Sequence, residues 1–91
     1  MHIIWSQNAI TNLIAIRDYI AKENSSAASS VAAKILEAGN ALEVFPNRGR
    51  ASQMTDVREL VIVGTPYILI YRVLDHSVEI LTVWHSAQNR D

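Results

Sequence analysis

Any chemistry in this 91-residue chain has to come from a small set of side chains. It contains no cysteine and only three histidines, at positions 2, 76 and 85. Thiol chemistry, disulfides and zinc knuckles are thereby excluded, the histidine spacing suits no metal, and no cofactor is expected. His85 carries an imidazole whose pKa range suits general acid–base work at neutral pH, and Arg58 could set a positive charge on a phosphate, with Glu59 as an acid. Arg58 and Glu59 are adjacent on an expected strand and so point to opposite faces, which lets at most one of them share a site with His85. The simpler reading of His85 is a hydrogen-bonding cap on the end of a sheet. Residues 46–91 hold five of the eight basic side chains, all arginines, together with five acids. Because the net charge is −1, a sequence-independent grip on a phosphate backbone is disfavoured, and any basic patch must be local.

The elements that must position these residues follow from hydrophobic spacing. Hydrophobic residues make up 49% of the chain and charged residues 19%, the composition of a packed globule, and the length suits one domain spanning residues 1–91. The amino terminus, MHIIWSQN, has neither the charged start nor the apolar run of a signal peptide, and no stretch approaches the roughly eighteen apolar residues of a membrane span. A cytoplasmic protein with no membrane contact is expected. His2 to Trp5 reads as a short strand, and Ser6 as the N-cap of a helix running to about Asn24, with Ala9, Leu13, Ile16 and Ile20 on one stripe. Asn24, Ser25 and Ser26 restart a second helix whose stripe runs through Ala28, Val31, Ile35, Ala38, Leu42 and Phe45 until Pro46 ends it. Gly39, inside that helix, is expected to mark a close contact between the two helices. Residues 46 to 56 read as a polar surface loop.

The period then changes to two. Val57–Val63, Tyr67–Leu74 and Val78–His85 form a three-stranded antiparallel meander, with turns at Gly64-Thr65-Pro66 and Asp75-His76-Ser77. A turn with Asp75 and His76 at its tip would set Arg72 opposite Glu79, whereas a three-residue loop would break that register. The fold class is α+β, β-α-α-β-β-β, with an antiparallel helical hairpin on one face of a small sheet. Strict alternation separates Val78, Ile80 and Trp84 from Leu81, Val83 and His85, and both sheet faces come out apolar. One helical hairpin covers one face only, so a partner segment is the economical cover for the other. Trp5 and Trp84 read as core residues.

The ordered set S-x-x-A-x-x-x-L-x-x-I-x-x-Y-I-A in the first helix, L-x-x-F-P-x-x-G-R after the second, and V-R-E-L, P-Y-I-L-I-Y-R-V and V-x-I-L-T-V-W-H in the strands resembles the ParE/RelE toxins over nearly the whole chain. The resemblance implies the toxin half of a type II toxin–antitoxin, or plasmid-stabilisation, module. Its partner would be a cognate ParD- or RelB-like antitoxin whose flexible C-terminal segment wraps the toxin and through which alone it reaches operator DNA. Tyr67, Leu69, Tyr71 and Arg72 are the expected antitoxin-facing residues, the tyrosines having core burial as their alternative.

RelE-like members cut messenger RNA on the ribosome with a basic constellation and a late tyrosine. This chain departs from that pattern, with Ile68 where the nucleases have an arginine and its lysines, Lys22 and Lys34, on the helices. His85 does match a histidine that some family nucleases use, which keeps ribosome-dependent cleavage by His85 and Arg58 open. The ParE-like branch is similar in more of its text and implies inhibition of DNA gyrase by binding alone. The contact candidates would then be Arg48, Arg50, Arg58 and Arg90, since arginine is favoured at interface hot spots and in pairing with carboxylates. A third possibility is an inactive module that only binds its antitoxin.

Overall fold

The computed structural model describes residues 1–88, and Arg90 lies outside them. Strand β1 (His2–Trp5) leads into helix α1 (Gln7–Ala21) and helix α2 (Ser25–Asn40), which is extended by a 3-10 turn at Ala41–Glu43. Strands β2 (Arg50–Ala51), β3 (Val57–Val61), β4 (Tyr67–Val73) and β5 (Ser77–His85) follow, and a 3-10 turn spans Ser86–Gln88. The five strands form one sheet in the order β1-β5-β4-β3-β2. The α+β arrangement with a β3-β4-β5 meander is therefore present, and two features extend it. β1 lies parallel to β5, and two residues of the expected loop form β2, antiparallel to β3.

Both helix starts follow from their caps. Ser6 Oγ accepts the Ala9 N–H at 3.0 Å, and Asn24 Oδ1 accepts that of Ala27 at 2.9 Å, so each cap satisfies a backbone donor that the first helical turn leaves open. Ser6 also donates to the Leu81 carbonyl at 2.9 Å, tying the start of α1 to β5. The β4–β5 hairpin keeps the register expected with Asp75 and His76 at its tip. Arg72 stands opposite Glu79, their ion pair closing at 2.9 Å.

The strict alternation expected along β5 fails at one point, because the register shifts between Ile70↔Thr82 and Tyr71↔Ile80, leaving Leu81 as an extra residue. A bulge of one residue reverses the facing of everything beyond it. Val83 and His85 consequently fall on the same face as Val78 and Ile80, where Val83 and Tyr67 are buried, and Trp84 is turned to the other face, 42% exposed. Trp84 is not a core residue. Helix α1 supplies the bonds that the bulge frees. Asn12 Oδ1 accepts from the Val83 N–H at 3.0 Å and from the Thr82 hydroxyl at 2.7 Å, and Asn8 and Ser6 donate to the Leu81 carbonyl.

The core lies between the helical pair and one sheet face, and contains Ala9, Ile35, Leu42, Leu69, Tyr71, Val78 and Ile80, all fully buried. Trp5 packs against it, part-exposed. Gly39 marks a close approach, but to the sheet and not to α1. A Cβ at that position would overlap the Trp5 ring and lie 2.8 Å from Ile80 Cδ1. The opposite sheet face carries Ile4 (48% exposed), Val61 (63%) and Trp84 beside the Arg72–Glu79 and Arg50–Glu59 ion pairs. Val57 and Ile70 on the same face are only 8% exposed, so it is open at Ile4, Val61 and Trp84 and not throughout.

Candidate functional site

The densest cluster of unusual side-chain chemistry surrounds the segment between α2 and β3. The helical run ends with the 3-10 turn at Glu43, short of Pro46, and the chain turns through Asn47 and Arg48 into Gly49 and β2. Beneath it, on the helix-facing side of the sheet, Arg58 and Tyr71 are cross-strand neighbours. The Tyr71 hydroxyl donates to the Pro46 carbonyl at 2.7 Å and accepts the Gly49 N–H at 2.8 Å. Arg58 Nη1 donates to the Gly49 carbonyl at 2.6 Å and reaches the Asn47 carbonyl at 3.4 Å. Gly49 is required by space alone, since a Cβ there would lie 2.8 Å from both the Glu59 carbonyl oxygen and the Tyr71 ring. Burial pushes the Tyr71 phenol above its ordinary pKa, against the opposing pull of the Gly49 N–H and the Arg58 charge. The group therefore stays protonated and able to donate at neutral pH.

This arrangement revises the roles of the arginines. Arg58, a contact candidate by sequence, is engaged with carbonyls of its own chain. Arg50 is 77% exposed but pairs with Glu59 at 3.0 Å, on the face away from the helices. Arg48 is exposed and borders two concavities. One, of about 660 Å³, lies under Val44 and Phe45, which are 67% and 61% exposed. The other, of about 340 Å³, runs between α2 at Lys34, Glu37 and Ala38 and β3 at Leu60 and Val61. Along that groove β3 has no outer neighbour among the described residues, because β2 pairs only with Arg58 and Glu59.

His85 sits elsewhere. Its half-buried ring meets Tyr67 edge to face, with centroids 5.3 Å apart and planes at 86°, and its Nδ1 accepts the Ala87 N–H at 3.0 Å. These contacts match the capping reading of the residue. A cavity of about 390 Å³ between this ring, Asn12, Ile16 and Tyr19 opens beside it. Burial, and secondarily Tyr19, raises the Tyr67 pKa. His85 pairs with Tyr67 on one side of β4, and Arg58 with Tyr71 on the other. Four residues of strand, roughly 13 Å, separate the two positions along the sheet. A general base and a phosphate clamp must converge within hydrogen-bonding reach of the same atoms, so His85 and Arg58 do not form one site.

Among the four residues expected to face an antitoxin, Leu69 and Tyr71 are fully buried and Tyr67 is 7% exposed. Leu69 and Tyr71 belong to the core and offer a partner no surface in this conformation, and Tyr67, mostly buried as the core alternative has it, keeps only an edge on the cavity beside His85. Arg72, on the uncovered face, keeps its accessibility with its side chain 44% exposed. Sequence reasoning missed the Tyr71 hydroxyl and Gly49 as a pair. The available signal was Gly-Arg following Phe-Pro, with a strand tyrosine 22 residues beyond the glycine. Among the described residues no group of three or more His, Asp or Glu side chains could hold a metal ion, and no helix is long and apolar enough to cross a membrane.

A helical hairpin on one face of a five-stranded sheet makes this a small α+β domain. In the solved chromosomal ParDE toxin–antitoxin system of P. aeruginosa, one chain superposes with a TM-score of 0.82 at 26% identity, over 93% of this chain and 95% of that one. The isolated E. coli RelE toxin shares the fold at a TM-score of 0.59 and 17% identity, over 99% of this chain and 86% of that one. The family model for the ParE toxin of the type II toxin–antitoxin system parDE matches residues 3–90. Toxin RelE2 of Caulobacter vibrioides is 38% identical over 86 residues, 94% of this chain and 96% of that protein. The Sinorhizobium fredii protein Y4kP is 42% identical over 84 residues, 92% of this chain and 86% of that protein. The chain belongs to the ParE toxin family and is a toxin of a type II toxin–antitoxin system.

Proposed function

We propose that this toxin arrests bacterial growth in the cytoplasm by binding and poisoning DNA gyrase, without bond-making chemistry of its own, and that a cognate antitoxin neutralises it. The observation that carries the reading is the loop after α2. It holds the exposed Arg48 next to the apolar shoulder of Val44 and Phe45, the mixture of guanidinium and large apolar groups that protein interfaces favour. The net charge of −1 suits a protein target better than a phosphate backbone. The separation of His85 from Arg58 along the sheet weighs against the acid–base pairing that messenger cleavage would use.

Neutralisation is supported by the surfaces the fold leaves open. The unpaired edge of β3 beside the α2 groove can accept an extended segment, and the uncovered face around Trp84 and Ile4 can accept apolar side chains. A disordered segment that folds on binding is able to wrap both, and operator DNA would be reached only through it.

The test is induced expression in antitoxin-free bacteria carrying a DNA-damage reporter, joined to a supercoiling assay with purified gyrase. Growth arrest with the reporter on and supercoiling inhibited is the expected result. Arrest with the reporter silent, intact supercoiling and new 5′ ends in messenger RNA would refute it.

A further inference from the structure

We propose that Tyr71, together with Arg58, is a positioning residue that locks the Pro46–Arg50 loop into the shape that presents Arg48 and the Val44–Phe45 shoulder to the target. The inference rests on the reading that this loop is the target-facing surface. Two side chains from neighbouring strands engage four backbone polar groups within four residues, namely the carbonyls of Pro46, Asn47 and Gly49 and the N–H of Gly49. A surface loop ordinarily leaves such groups to water. Here a fully buried tyrosine keeps its hydroxyl for the purpose, although a phenylalanine would fill the same core volume without a polar atom to desolvate. Gly49 completes the device, because any larger residue would collide with the Tyr71 ring and the β3 backbone. The apolar side chains that lead into the loop do not fold into the core, since Val44 and Phe45 remain more than half exposed. A backbone tied down beneath side chains that stay in water is organised for a partner, which then has less disorder to remove on binding.

The experiment compares Tyr71→Phe and Arg58→Lys with the wild-type toxin. Each protein is assayed well below its thermal midpoint, so that the unfolded fraction measured by circular dichroism is negligible. The readouts are the concentration for half-inhibition of gyrase supercoiling, the inducer level for growth arrest, and amide exchange at Gly49. Tyr71→Phe is expected to exchange Gly49 faster and to need about tenfold more toxin for half-inhibition, with the maximal extent of inhibition unchanged. Arg58→Lys keeps a cationic donor and is expected to fall between the two. Faster exchange at Gly49 with undiminished potency would overturn the inference while leaving the gyrase reading intact. A wild type that arrests growth but spares gyrase, with Tyr71→Phe losing arrest, would overturn the gyrase reading and leave the positioning role standing. A chain inert in both assays would overturn both.

Discussion

Replacing Gly39 by alanine sets two known effects against each other, and the structure decides the sign. Within a helix, alanine is favoured over glycine by about 1 kcal/mol, so an open site would be stabilised by the change. Gly39 is not open. The new methyl would overlap the Trp5 ring and stand 2.8 Å from Ile80 Cδ1. Ile80 is fully buried and cannot retreat, so Trp5 must move, loosening its 3.2 Å hydrogen bond to Asn40. Overpacking of this kind costs about 1–3 kcal/mol, and a weakened exposed hydrogen bond adds about 0.5 kcal/mol. Subtracting the helical gain leaves a net loss of about 0.5 to 2.5 kcal/mol. For a domain of this size each kcal/mol lowers the thermal midpoint by roughly 4–8 °C. Urea and thermal unfolding of Gly39→Ala measure the loss directly. In a Trp5→Leu background, where the ring is gone and only the Ile80 contact remains, the same change should cost clearly less than in the wild type. An alanine that stabilises the wild-type background, or a loss that is undiminished without the Trp5 ring, would refute the reasoning.

Asn12→Ala removes the acceptor shared by the Val83 N–H and the Thr82 hydroxyl and should destabilise the fold by about 1–3 kcal/mol in urea titration. A change under about 0.5 kcal/mol would show that water replaces the side chain at the bulge. Trp84→Ser should lower stability by less than about 1 kcal/mol, because the ring is 42% exposed. It should nonetheless weaken antitoxin binding by about thirtyfold in calorimetry if the uncovered face is where the antitoxin lies. The Tyr67 and Tyr71 phenols have folded pKa values raised above 10.0, so the unfolded chain gives up these protons more readily. Their contribution to stability is then complete below pH 10 and is lost as the pH rises through the folded values. The urea midpoint should accordingly be insensitive to these two groups from pH 7 to 9 and fall above 10, less steeply in Tyr71→Phe. An unchanged slope in that variant would refute the assignment.

The features legible in advance were those governed by neighbours in sequence. Ser6 and Asn24 cap their helices because a short polar side chain at that position meets a backbone donor three residues on. The Arg72–Glu79 pairing followed from a two-residue tip, since hairpin register is set by its turn. Leu81 carries no comparable signal. Nothing in I-L-T-V-W announces an inserted residue, and whether it bulges depends on Ser6, Asn8 and Asn12, some seventy positions away, being there to take up the freed backbone bonds. Alternation counted through it therefore put Trp84 inside. Strand β2 escaped for a different reason, since two residues are too few to display a period.

The site was hidden for the same reason as the bulge. The residue types were visible, and the arginines at 48, 50 and 58 stood with Arg90 as contact candidates on equal terms. Their roles divide only when their surroundings are known. Arg58 faces the helix side of the sheet and meets carbonyls of its own chain, Arg50 faces the other side and meets Glu59, and Arg48 borders open grooves. A guanidinium beside backbone carbonyls organises structure, whereas one at the rim of a groove is available to a partner. The tyrosines divide in the same way. Tyr67 and Tyr71 share a strand face, as period two requires, yet Tyr67 packs on His85 while the Tyr71 hydroxyl holds the loop. Substitution should separate them too. Tyr67→Phe leaves every hydrogen bond of the Pro46–Arg50 loop in place and should retain wild-type potency, while Tyr71→Phe should not. Equal losses in the two variants would mean that the tyrosines act through the core alone.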